Sequence, residues 1–101
     1  MKIHVENSMD TSTIIIDENQ LLGIGNETFN NQIQNSIEQG SKNISVDLTN
    51  VKFIASLGIE IFLHAYKACR NKNVNFNLKN VNVAVMNVFS KLKLTDIFTI
   101  V

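Results

Sequence analysis

Val51-Lys52-Phe53-Ile54-Ala55-Ser56-Leu57-Gly58-Ile59 decides how this chain folds, because it turns a buried strand into an amphipathic helix through one small hydroxyl residue. Upstream, Ile44-Ser45-Val46-Asp47-Leu48 alternates apolar and polar residues and predicts a strand. Thr49-Asn50 has turn character, and Phe53-Ile54 reads as a hydrophobic anchor. Downstream, a helix is predicted over residues 56–70, with Leu57, Ile61, Phe62, Ala65 and Cys69 on a core stripe. Glu60, His64 and Lys67 line its other face, toward solvent or a partner. Ser56 stands where a helix wants a side-chain oxygen for its first free N–H groups. It is therefore read as the N-cap, at the positive end of the helix and the carboxyl edge of a sheet.

Working outward, residues 2–6 alternate Ile3 and Val5 against Lys2, His4 and Glu6, and predict a first strand with one buried face. A turn over residues 7–11 leads to Thr13-Ile14-Ile15-Ile16, a β-branched run suited to burial on both faces, and the two strands form a hairpin. Residues 17–25 read as a loop, most flexible at Gly23-Ile24-Gly25. Asn26 is the expected N-cap of a helix carrying Phe29, Ile33 and Ile37, which Gly40 ends in a left-handed conformation. Val74-Asn75-Phe76-Asn77-Leu78 is a period-two strand. Asn80 or Asn82 then caps a helix with Val81, Val85, Val88, Phe89 and Leu92 on one face, and residues 97–101 form a terminal strand or extended segment. The order β-β-α-β-α-β-α-β implies one α/β domain spanning residues 1–101: a mixed β-sheet with an N-terminal hairpin and alternating helices packed against it.

Composition narrows function by exclusion. Nine basic and nine acidic residues cancel, so the electrostatic footprint of a nucleic-acid binder is missing. The single Cys69 rules out an intramolecular disulfide and a Cys-cluster metal site, and points to a reducing cytoplasm. The N-terminus lacks a signal-peptide apolar region, and no apolar run approaches the roughly 18 residues of a membrane span.

Catalytic groups are scarce. The two histidines, His4 and His64, lie on polar faces; Glu60, four residues before His64, explains the latter as a surface ion pair. Gly23-Ile24-Gly25 has the first half of a dinucleotide fingerprint, but Thr28 occupies the third glycine's place, so a flexible loop before a helix accounts for it. Cys69 falls on the apolar stripe and reads as a core thiol. No enzyme, cofactor or metal is expected. Ser56 keeps two readings, a structural cap and a phosphorylation site. A phosphate there adds about −1.5 to −2 charges, which a helix N-terminus tolerates but an apolar docked partner does not.

The run Val46-Asp47-Leu48-Thr49-Asn50-Val51-Lys52-Phe53-Ile54-Ala55-Ser56-Leu57-Gly58-Ile59, with the helix through Tyr66-Lys67, resembles the signature of STAS domains, specifically bacterial anti-sigma-factor antagonists. That signature is an apolar strand, Asp-Leu, an aromatic-containing turn, and Asp-Ser-Ser/Thr-Gly-Leu/Ile opening a helix. The resemblance extends through Asn77-Leu78-Lys79-Asn80-Val81 to the closing Phe89-Ser90-Lys91-Leu92-Lys93-Leu94-Thr95-Asp96-Ile97-Phe98. It implies a regulatory protein that binds an anti-sigma factor and serine kinase of the histidine-kinase-like ATPase type. Phosphorylation of Ser56 would block that binding, and a serine phosphatase would restore it. It implies a contact surface of Leu21, Leu22, Gly23, Gly25, Ala55, Ser56, Leu57, Gly58 and Glu60. The chain departs from the pattern in that Ala55 replaces the signature Asp, Leu57 replaces the second hydroxyl residue, and Asn19-Gln20-Leu21-Leu22 replaces the Gly-x-Leu-Asp loop. The alternative is a phosphorylation-independent adaptor, such as a STAS subunit docking on an ABC-type ATPase of a lipid-transport complex.

Overall fold

The computed structural model describes residues 1–101. A hairpin of β1 (Ile3–Ser8) and β2 (Thr11–Ile16) opens the chain, followed by β3 (Gln20–Leu21) and α1 (Asn26–Glu38). Then come β4 (Asn43–Asp47), β5 (Phe53–Ile54), α2 (Ser56–Asn71), β6 (Asn75–Lys79), α3 (Val83–Lys91), a 3-10 turn over Leu94–Asp96 and β7 (Thr99–Ile100). Five strands form one sheet in the order β1-β2-β4-β6-β7, antiparallel only between β1 and β2. The expected mixed sheet, hairpin and alternating helices are all present. β3 and β5 make a separate two-stranded parallel ladder that the sequence reading left as loop and turn.

Period-two alternation separates the two faces of the sheet. Ile14, Ile16, Ile44, Val46, Phe76 and Leu78 are buried in one apolar core with Phe29, Ile33, Phe62, Ala65, Val85 and Phe89 from the three helices. The opposite face carries Thr11, Thr13, Asn43, Ser45, Asn75 and Asn77, joined by cross-strand side-chain hydrogen bonds such as Ser45 to Asn77 at 2.7 Å and Asn75 to Asn43 at 3.0 Å. β2 is therefore not buried on both faces: Ile14 and Ile16 are fully enclosed, whereas Ile15 is half-buried on the polar face. The hairpin turn shrinks to Met9-Asp10, with Met9 at φ 55, because pairing continues to Ser8 and Thr11.

Helix ends follow local chemistry. Gly40, at φ 90, closes α1 as expected: its N–H donates to the Ile37 carbonyl, and the Ser41 N–H donates to that of Ser36. Asn26 is not the cap of α1. Gly25, at φ 74, takes that position, and Asn26 is the first helical residue. Asn82 rather than Asn80 caps α3, its carbonyl oxygen accepting the Val85 N–H at 2.9 Å. Leu92 lies past the helix end and is exposed, leaving Leu94 and Phe98 to fill the core from the following turn.

Candidate functional site

The loop after β2 and the start of α2 are far apart in sequence, and the β3–β5 ladder brings them together. Gln20 pairs with Phe53 and Leu21 with Ile54, and the ladder runs on when the Ala55 N–H donates to the Leu21 carbonyl at 2.9 Å. This last bond holds Ala55 extended, at φ −96 and ψ 169, in the N-cap position, so the helix starts one residue earlier than the sequence suggests. Ser56 is consequently the first residue inside α2 and not its N-cap, and its hydroxyl caps nothing. The N–H groups of Ser56, Leu57 and Gly58 have no protein acceptor, since the first bond of the helix is from Ile59 to the Ala55 carbonyl.

Two glycines set the closeness of this junction. Gly58 is buried with its Cα against the Leu21 carbonyl, where a Cβ would collide. Gly23, at φ 88, is covered by Leu57, whose Cβ occupies the space a side chain at Gly23 would need. Leu57 thus leaves the core stripe on which the helical period placed it: 59% of it is exposed, and Gly58, Ile59, Ile61, Phe62, Ala65 and Cys69 make the buried face. In the first turn of α2 it is Gly58 that meets the Leu21 backbone, while Leu57 lies over the loop at Gly23.

The surroundings of the Ser56 hydroxyl are apolar and open. Leu22, Ile24, Phe53 and Leu57 are all exposed large hydrophobic residues on the paired segments. Val83 is exposed too, at the start of α3, which lies against β5 and is tied just ahead of it when Asn82 donates from its amide to the Val51 carbonyl at 2.9 Å. A shallow cavity of about 270 Å³ opens next to β3, between Glu18, Gln20, Leu22 and Ile24. The predicted contact residues Leu21, Leu22, Gly23, Gly25, Ala55, Ser56, Leu57, Gly58 and Glu60 all belong to these two paired segments. Leu21 and Gly58 are buried and shape the surface from beneath; Glu60 is exposed one turn along α2. Phe53, expected as a hydrophobic anchor, and Val83, expected only within a helix, are exposed instead, because exposure of an apolar side chain has no local signature.

Behind this surface the carboxyl ends of β2, β4 and β6 are tied by polar side chains. Burial pushes the Asp47 carboxyl up, but hydrogen bonds from the Thr49 hydroxyl and backbone and from Asn80, with the Lys79 charge, outweigh it and hold its pKa below the ordinary value. Asn50 donates to Asp17 at 3.3 Å, and Asp17 also pairs with the His4 ring at 2.7 Å. Glu60 and His64 form no such pair. No three or more His, Cys, Asp or Glu side chains gather at one point, and no helix is long and apolar enough to cross a membrane. Cys69 is fully enclosed, and burial pushes its thiol up to about 11.

The family model for the STAS domain matches residues 4–101. No curated protein matches in sequence. Among solved structures, the unphosphorylated anti-sigma factor antagonist SpoIIAA superposes with a TM-score of 0.80 at 20% identity, covering 99% of this chain and 88% of that one. The phosphorylated form of SpoIIAA, from Bacillus, gives a TM-score of 0.74 at 19% identity, over 99% of this chain and 91% of that one. An anti-sigma factor antagonist from Mycobacterium paratuberculosis gives 0.82 at 17% identity, covering 98% of this chain and 83% of that one. A sulfate transporter family protein from Wolinella succinogenes gives 0.78 at 11% identity, covering 89% and 72%.

Proposed function

The chain belongs to the STAS domain family, and on that premise we propose that it is an anti-sigma-factor antagonist-like regulator whose contact surface is switched by phosphorylation of Ser56. One observation carries the reading: an exposed serine hydroxyl, bonded to no protein group, beside three unpaired helix N–H groups at a junction whose two segments carry the exposed apolar residues Leu22, Ile24, Phe53 and Leu57. The hydroxyl is free to enter a kinase active site. Once transferred, the phosphate is stabilised by the helix N-terminus, so the fold persists. The same dianion, of about −1.5 to −2 charges, must be desolvated against Leu57, Phe53 and any apolar partner, so the docked state does not. The reading names as partners a serine kinase and anti-sigma factor of the histidine-kinase-like ATPase type, opposed by a serine phosphatase, in the cytoplasm.

A second reading is favoured by Ala55 and Leu57, which surround Ser56 with apolar rather than acidic or hydroxyl groups. In it the surface is a constitutive adaptor docked on an ABC-type ATPase. Recovery of the tagged chain from its native cells, with bound proteins and phosphate identified by mass spectrometry, separates the two. The switch predicts a histidine-kinase-like ATPase, phosphate on Ser56, and loss of that ATPase from Ser56→Asp with an unchanged far-UV circular dichroism spectrum. Capture of the same ATPase by Ser56→Asp at wild-type level sinks the switch. An ABC-type ATPase held equally by both proteins supports the adaptor.

A further inference from the structure

β1 is an edge strand six residues long, and its outer side carries unpaired backbone groups. Which groups point outward follows from the ladder. The Lys2 carbonyl accepts the Asp17 N–H at 2.8 Å, and in an antiparallel pair the residues that bond to the partner alternate with those that do not. Lys2, His4, Glu6 and Ser8 therefore bond to β2, while Ile3, Val5 and Asn7 direct their N–H and C=O groups away from the sheet.

From this strand we propose that the chain self-associates through β1, antiparallel and centred on Val5, to form one continuous sheet across two copies. The register is selected by the sequence. With Val5 opposite Val5 of the second copy, Ile3 faces Asn7 and Asn7 faces Ile3, so every outward backbone group finds a partner, roughly six hydrogen bonds in all. His4 of each copy then stands opposite Glu6 of the other, giving two cross-strand imidazole–carboxylate pairs on the polar face. A register centred on His4 opposes two histidines, and one centred on Glu6 opposes two carboxylates and loses bonds at Ile3. On the other face, the half-buried Ile3 and Val5 already touch the core; Val5 gains cover from Val5 of the second copy and Ile3 from its Asn7. His4 keeps one ring nitrogen on Asp17 and leaves the other for Glu6. The strand has no proline, bulge or covering loop to block a second strand. This pairing does not depend on the role proposed for Ser56.

Sedimentation velocity over a concentration series, on the full chain, tests the proposal. The expected result is a mass that rises from one copy toward two with concentration. Val5→Pro removes an N–H that the monomer does not use, and proline is tolerated where an edge N–H faces solvent, so it should abolish dimers while circular dichroism stays unchanged. Glu6→Lys, on an exposed side chain, removes both carboxylate acceptors from opposite His4 and should weaken association on the order of tenfold. His4→Glu combined with Glu6→Lys places a carboxylate opposite an ammonium in the same register and should recover it. A wild-type chain that stays monomeric at every concentration overturns the proposal. So does a dimer that survives Val5→Pro, or one that the double variant fails to restore after Glu6→Lys has weakened it.

Discussion

Ser56 and Asn82 each stand at the start of a helix, but only Asn82 bonds to it. The Asn82 side chain accepts the Val85 N–H and donates to the Val51 carbonyl, so Asn82→Ala removes a cap and a tie between α3 and the strand region. A loss of about 1–2 kcal/mol is expected, read from urea unfolding. Ser56→Ala removes a hydroxyl that bonds to nothing, and should shift the same midpoint by less than about 0.5 kcal/mol. A larger loss would mean that the serine is structural. Asp47 makes the stability pH-dependent with a definite sign. Its folded pKa lies below the ordinary 3.8, so its contribution is complete above that value and is lost as pH falls through the folded pKa. Asp47→Asn should flatten this part of the acid-unfolding curve, and an unchanged acid limb would show that the Thr49 and Asn80 bonds contribute nothing.

At the scale of elements, the β3–β5 ladder and the first turn of α2 act as one unit. Gly58→Ala drives a Cβ into the Leu21 carbonyl, where backbone must move, so a cost of about 1–3 kcal/mol is expected together with altered amide shifts at Leu21 and Ala55 in NMR spectra. Gly58→Ala with unperturbed stability would show that the ladder is loose. Cys69, further along α2, reports on opening of the helix from the core. Its enclosed thiol, with pKa raised to about 11, should resist alkylation in the native state and react only as fast as the helix opens. The short ladder was illegible in the sequence because two residues per strand carry no period. The shift of the helix start from Ser56's expected capping role to its place inside the helix follows from the same ladder, through the Ala55 bond to Leu21.

Across the whole molecule, Phe98 joins elements that are distant along the chain: its ring meets Phe62, Tyr66, Phe76 and Phe89 at centroid separations of 5.6 to 6.4 Å. Phe98→Ala should cost about 3–5 kcal/mol in equilibrium unfolding, with loss concentrated where α2, α3 and β6 meet. A value below about 1 kcal/mol would place the core's centre elsewhere. The sequence alone determined the strands of the main sheet, the three helices, their order and the Gly40 stop, because hydrophobic period and cap chemistry act over a few neighbouring residues. It also brought Ser56 to notice as the hydroxyl at the strand-to-helix junction. Tertiary structure decided which side chains face outward at the site. Leu57 was placed in the core by its helical position, yet it lies over Gly23, because a ladder between segments more than thirty positions apart brings that loop to the start of α2. Phe53, Ile24 and Val83 join it at the surface for the same reason: exposure depends on what the rest of the chain leaves uncovered, and no local pattern carries that information.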